Sequence, residues 1–76
     1  MPANKQMVIN SVIDWVNYRK NVKLVKSVKR MEMVVAAEVA NNLQDVILDK
    51  SDLESIANAV GGTYVVGTGG NSKIKL

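Results

Sequence analysis

This 76-residue chain contains no cysteine, no histidine and no phenylalanine, and each absence excludes a class of structure or chemistry. Without cysteine no disulfide can form, and without cysteine and histidine the two usual kinds of zinc ligand are missing. The same absences remove the commonest general base and the most reactive nucleophile. We therefore expect a protein that is not an enzyme, with no catalytic residue, no metal site and no cofactor.

Long apolar runs are also absent. The longest unbroken one is Met33–Ala37, far short of the roughly 20 residues that a membrane-spanning helix needs. The first thirty residues lack the apolar core and the small-residue cleavage site of a secretory signal. We expect a soluble, cytoplasmic protein with no membrane partner.

The length suits one small domain over residues 1–76. A chain this short buries only about 60% of its unfolded surface, which leaves its stability marginal. Aromatic residues are few and valine is abundant, so the core must depend on many small contacts. Self-association would supplement such a core, and we predict a homo-oligomer.

Acidic residues are missing between Trp15 and Met31, where basic residues are concentrated. Residues 1–30 carry seven basic side chains and one acidic side chain, a net charge of +6, whereas residues 31–60 carry one basic and six acidic side chains, a net charge of −5. Opposite local fields of this strength select partners. The basic residues within positions 19–30 are Arg19, Lys20, Lys23, Lys26, Lys29 and Arg30.

We predict that these six residues, with Lys73 and Lys75, bind the phosphates of DNA or RNA. Trp15 and Tyr18 lie just upstream and could stack on bases if exposed, although the place of Trp15 at the edge of an apolar arc favours packing in the core. Two alternatives stay open. The basic residues form an ordinary solvated surface, or they meet the acidic half of the same chain or of a neighbouring copy.

Hydrophobic periodicity predicts three helices. An apolar arc of roughly 160° covers residues 5–20, and a helical period returns over residues 29–43, where Met31, Val35, Val39 and Leu43 recur at a spacing of four. Ser51 and Glu54 have the spacing of a capping box at the start of a third helix, which Gly61 ends. The β-branched residues at 22–28 favour a short strand. Residues 44–50 are of unclear type.

Residues 63–66 and 73–76 flank a glycine-rich segment and predict a β-hairpin. The G-x-x-G spacing of Gly67–Gly70 is similar to the backbone-binding loop of KH modules, but no helix follows it, so a hairpin tip is the better interpretation. The predicted fold class is α+β and mostly helical, with about three helices followed by a C-terminal β-hairpin. This element order is similar to that of winged-helix DNA-binding domains.

Two features oppose the usual binding mode of such domains. The third helix would enter the major groove, yet it carries Asp52 and Glu54 and would repel phosphates. The link before it is longer than the usual turn of 3–4 residues. If nucleic acid binds, we expect the segment around residues 19–30 to carry the contact.

The rival hypothesis is a protein–protein interaction module, either a small regulator of one target protein or a self-assembling structural subunit of the kind common among viral and mobile-element products. A helix that is apolar on nearly all sides must be covered on nearly all sides, so we predict Met31, Val34 and Val35 at an oligomer interface. Asp45, Asp49 and Asp52 are better explained by surface charge and a helix start than by a Mg²⁺ or Ca²⁺ site.

Overall fold

The computed structural model describes residues 4–22, 24–42, 46–68 and 71–76. The helices are α1 (Lys5–Val22), α2 (Arg30–Asn41) and α3 (Lys50–Val60), and the strands are β1 (Ser27–Lys29), β2 (Thr63–Val65) and β3 (Lys73–Lys75). The predicted α+β class and its element order are confirmed. A short strand is present near the region 22–28 that favoured one, but it is Ser27–Lys29, whereas Val22, one of the β-branched residues behind that expectation, belongs to α1.

The three strands form one antiparallel sheet in the order β1-β3-β2. The strand β3 is therefore central, and it pairs with β1 on one side and with β2 on the other. The cross-strand partners are Ser27 with Lys75, Val28 with Ile74, Lys29 with Lys73, Thr63 with Lys75, Tyr64 with Ile74 and Val65 with Lys73. This pairing joins the segment before α2 to the predicted hairpin, so residues that are distant in sequence become neighbours.

The core lies between the helices and the inner face of the sheet. Val28 and Ile74 are completely buried, and because side chains alternate along a strand, their neighbours point to the outer face. The core is aliphatic, as the composition predicts, with Trp15 and Tyr64 packed at its margin. Its buried side chains are Val8, Ile9, Val12, Val16, Val28, Met33, Ala37, Leu48, Leu53, Ile56, Ala57, Val60 and Ile74.

The start of α3 differs from the prediction. The capping residue is Asp49, whose carboxylate accepts a hydrogen bond from the Asp52 amide at 3.1 Å, while the Asp52 carboxylate accepts from the Asp49 amide at 3.1 Å. The predicted box of Ser51 and Glu54 was wrong by two residues, because both pairs have the same three-residue spacing. Burial of Leu48 just before the aspartate pair favours the earlier start.

Residues in the left-handed conformation end two of the helices. α3 ends at Gly61, as predicted, with φ 71° and its amide donating to the Asn58 carbonyl. α2 ends before Asn42, which has φ 52°. Asparagine tolerates this conformation better than most residues, so α2 stops short of the predicted residue 43.

Candidate functional site

Three lysines meet on the outer face of the sheet. Lys29 on β1 lies directly opposite Lys73 on β3, and Lys75 follows two residues further along β3. Side chains directly opposite each other have Cβ atoms about 4.5–5.5 Å apart, and alternate residues of one strand share a face. Lys29, Lys73 and Lys75 therefore converge, and we refer to them as the sheet lysines.

The sheet lysines make no ion pair within the described part of the chain, although the Glu32 carboxylate accepts a hydrogen bond from the backbone amide of Lys29 at 2.9 Å and places a negative charge near it. Within residues 4–22, 24–42, 46–68 and 71–76, no carboxylate oxygen lies within 4.0 Å of their ammonium groups. The other outward positions hold Ser27, Thr63 and Val65, which carry no charge. Because like charges directly opposite each other destabilise a sheet, this face holds its positive charge at a cost in stability.

Two other predicted residues make contacts inside the chain. Lys20 donates from Nζ to the carbonyl of Val60 at 2.9 Å, at the C-terminal end of α3, where a positive charge is favourable. Arg30 donates from Nε to the carbonyl of Leu48 at 2.9 Å and so connects α2 to the segment before α3. Both side chains thus hold helices in place, with donor atoms already engaged.

Two further basic residues of the predicted stretch are Lys26, which the structure describes, and Lys23, which it does not. Lys26 is exposed just before β1, and its carbonyl accepts a hydrogen bond from the Leu76 amide at 2.9 Å. This bond prolongs the pairing of β1 with β3 and keeps Lys26 at the edge of the sheet. Lys23 lies outside the described residues.

Trp15 and Arg19 line a groove of about 600 Å³ between α1 and α2. The Arg19 guanidinium lies 5.1 Å from the centre of the Trp15 ring, which is a cation–π distance, and its Nη1 lies 3.7 Å from the Glu32 carboxylate. Its buried Nε has no hydrogen-bond partner among the described residues. The predicted packing of Trp15 against the core is confirmed, so a base would have to displace Arg19 to stack on the indole.

The other wall of this groove is an exposed apolar stripe on α2. Met31, Val35 and Val39 follow each other at intervals of four residues and are 55%, 54% and 76% exposed. Val34, which was also predicted at an interface, is partly buried and packs against the protein's own core. Val39 was not predicted there, although its spacing from Val35 indicates the same face.

The exposed side of α3 is acidic. Asp49 and Glu54 are exposed, and the single basic residue of this helix, Lys50, lies 4.0 Å from the Glu54 carboxylate. The backbone hydrogen bond from Asp52 and the hydroxyl of Ser51 lower the pKa of Asp49, so its negative charge persists in mild acid. Because Lys50 offsets Glu54, the exposed charges of Asp49, Lys50 and Glu54 leave one negative charge, which repels an approaching phosphate only weakly.

Asp52, in the first turn of α3, is an acidic residue that is buried. The carboxylate of Asp52 lies 2.8 Å from Nζ of Lys5, which joins the start of α1 to the start of α3. Sequence reasoning missed this role of Lys5, because nothing in the spacing of the two residues indicates the contact. Asp45, the third carboxylate considered for a metal site, lies outside the described residues.

Comparisons with protein-family models, with curated proteins and with solved structures found no match to this chain. Among the described residues, no group of three acidic side chains is close enough to hold a metal ion. None of the helices described above has the length and apolar content needed to cross a bilayer. The arrangement of the protein's own side chains, above all the sheet lysines and the stripe on α2, is therefore what points to a function.

Proposed function

We propose that this chain is a small binding protein without enzymatic activity that holds DNA or RNA through the outer face of its sheet. The sheet lysines supply the contacts, and Lys26 adds a fourth positive charge at the edge. The proposal depends on one observation, the like-charged pair of Lys29 and Lys73 on adjacent strands, whose ammonium groups make no ion pair among the described residues. An arrangement that lowers stability is expected where function requires it.

The chemistry of this face is that of phosphate binding. Each lysine can neutralise one phosphate and release its condensed counterions, which favours binding at low salt. Lysine donates as a compact point charge, without the planar geometry with which arginine reads a guanine edge. The expected binding is therefore independent of base sequence and strongly dependent on salt.

Lys20 and Arg30 have a supporting part in this proposal. Their charges add to the positive field that steers a polyanion to the protein. Each of them also donates one hydrogen bond to a carbonyl, Lys20 to Val60 and Arg30 to Leu48, which fixes the position of its charged group against the helices. Their remaining N–H donors are not used by these bonds, but the groups are held away from the like-charged pair on β1 and β3.

The experiment is a fluorescence-anisotropy titration of a labelled oligonucleotide at several salt concentrations. The double variant Lys29→Gln/Lys73→Gln should weaken binding at least about tenfold at low salt and reduce the slope of log Kobs against log salt by about 1.8. The control variant Lys20→Gln/Lys50→Gln removes the same total charge from α1 and α3. It should bind within about threefold of the original protein.

Two results would overturn the proposal. One is the absence of measurable binding to both DNA and RNA at about 50 mM salt, where phosphate contacts are strong. The other is an equal loss of affinity in the two double variants, which would show that only the net charge matters.

The apolar stripe of α2 favours a second candidate function, a protein–protein interaction module. Exposed aliphatic side chains aligned on one helix are typical of surfaces that pack against another helix. In this function Met31, Val35 and Val39 contact a second copy of the chain, in line with the predicted homo-oligomer, or a different target protein. The oligomeric state of the protein in solution distinguishes a second copy of the chain from a different target protein.

A further inference from the structure

We infer that the sheet lysines bind the phosphate backbone of a nucleic-acid duplex in preference to a single strand, with α3 held outside the grooves. This inference rests on the proposed function and adds to it the form of the nucleic acid and the orientation of the protein. It is carried by three features: the side chains that share the outer face with the lysines, the position of the aromatic residues, and the charge of α3.

The outer face of the sheet has no ring on which a base could stack. Beside the sheet lysines, its described positions hold Ser27, Thr63 and Val65. Sequence-tolerant binding of single strands relies on aromatic side chains on which successive bases stack. The described positions of this face hold no such side chain.

The three aromatic residues of the chain lie elsewhere. Tyr64 alternates with Thr63 and Val65 on β2 and packs against the core from the inner side. Trp15 lies under Arg19 on α1, and Tyr18 is exposed further along the same helix. Helix α1 packs on α2 and α3, and Trp15, covered by Arg19, is not open to a strand lying on the sheet lysines.

Without stacking, affinity depends on counterion release, and this favours the duplex. A duplex carries about one negative charge per 1.7 Å of its axis and loses more condensed counterions for each phosphate neutralised than a single strand does. Three lysine contacts give an expected slope of log Kobs against log salt of about −2.7 for a duplex and about −2.1 for a single strand. The preference for the duplex should therefore be largest at low salt.

The helix α3 is directed away from a duplex bound in this way. Its buried residues Leu53, Ile56 and Val60 belong to the core behind the sheet, whereas the sheet lysines lie on the opposite, outer face. Its exposed carboxylate Glu54 and the cap Asp49 leave one negative charge after Lys50 is counted, which adds a weak repulsion against a groove lined by phosphates. Base edges in the major groove are thus not read by α3, and sequence independence follows.

The experiment compares four ligands in anisotropy titrations with the full chain at low salt: a DNA duplex, its isolated strand, a duplex of the same composition with scrambled sequence, and an RNA duplex. The DNA duplex should bind at least about threefold more tightly than its isolated strand, and the scrambled duplex should bind as tightly as the first. The RNA duplex shows which duplex backbone fits better, and the comparison of the DNA duplex with its isolated strand decides the inference.

The variant Glu54→Gln tests the orientation. It removes an exposed carboxylate of α3 and should change duplex affinity by less than about twofold, whereas Lys73→Gln should lower it severalfold. Equal or tighter binding of the isolated strand, a tenfold preference between the two DNA duplexes, or an effect of Glu54→Gln as large as that of Lys73→Gln would overturn the inference and leave the proposed function standing. Failure of every ligand to bind would instead overturn the proposed function.

Discussion

Lys29 and Lys73 repel each other across two strands, so removing one charge should change stability and binding in opposite directions. We expect Lys73→Gln to raise the free energy of unfolding by roughly 0.2–1 kcal/mol, because the like-charge pair disappears while the strand is kept. The same variant should bind nucleic acid less tightly. Urea denaturation followed by circular dichroism measures the first effect, and anisotropy measures the second.

Lys75 offers the matched control for this prediction. It lies opposite Ser27 and Thr63, so Lys75→Gln should weaken binding without a comparable gain in stability. If Lys73→Gln leaves both quantities unchanged, the pair is an ordinary solvated surface, which is one of the alternatives that the composition leaves open.

Close packing leaves no space for a side chain at position 62, where the chain has a glycine. A Cβ atom there would lie 2.6 Å from the backbone oxygen of Lys75 and 2.8 Å from Cγ2 of Ile74. Since a backbone oxygen cannot rotate away, Gly62→Ala should lower the free energy of unfolding by about 1–3 kcal/mol and loosen the edge strand β2. Thermal unfolding measures the loss, and an unchanged melting temperature would contradict the close approach of the two strands.

At the scale of elements, α3 depends on an ionised cap. The hydrogen bonds from the Asp52 amide and the Ser51 hydroxyl lower the pKa of Asp49 below its ordinary value of 3.8. The unfolded chain therefore takes up a proton at a higher pH than the folded chain does. The cap contributes fully to the free energy of unfolding when the pH is above the ordinary pKa of Asp49. This contribution is lost as the pH falls from the ordinary pKa towards the lowered pKa of the folded protein.

We expect the free energy of unfolding to fall between about pH 5 and pH 2 in the original protein. In Asp49→Asn, which can still accept the hydrogen bond but does not titrate, this fall should be smaller. Denaturation curves at several pH values compare the two proteins. Parallel curves would show that other carboxylates cause the acid sensitivity.

The elements themselves could be predicted from the sequence with fair accuracy, because each has a local signal. The apolar arc of α1, the glycine after α3 and the β-branched residues before and after the helices all act within a few residues. The prediction of where α3 starts was wrong because two overlapping pairs have the spacing of a capping box. These pairs are Asp49 with Asp52 and Ser51 with Glu54. The residue before the cap distinguishes them: Leu48 precedes Asp49 and is buried together with Leu53, whereas Lys50 precedes Ser51.

The candidate site could be predicted only in part. The sequence contains all the basic residues, but it does not contain the register that sets Lys29 opposite Lys73, since strand pairing is a long-range property. Nor does it indicate that Lys20 and Arg30 donate to carbonyls of other elements. The prediction therefore treated all the basic residues as one patch. The fold separates them into the sheet lysines and the side chains that connect helices.

For the whole molecule, self-association through the stripe on α2 is a prediction. If Met31 and Val35 of the predicted interface, together with Val39, form the contact between copies, Val35→Lys/Val39→Lys should yield a monomer, because two charges would have to be buried. Sedimentation velocity over a range of concentrations measures the change. The control is Ile47→Lys, which places a charge on another apolar side chain, 67% exposed and outside α2.

A monomer in the original protein at all concentrations would exclude self-association and leave a different target protein as the occupant of the stripe. Equal effects of the control and the double variant would indicate general insolubility instead. Nucleic-acid binding should survive in the double variant, since the stripe and the sheet lysines lie on different elements.

The central position of β3 has a consequence for how the chain is made on the ribosome. Both other strands of the described residues pair with β3, and both precede it in the sequence. At about 5–20 residues per second, translation passes from the end of α3 to the start of β3 in roughly 0.7–2.6 s. During that interval Val28 and Lys29 lack their cross-strand partners Ile74 and Lys73, so the pairing of the sheet lysines forms only once β3 has been made.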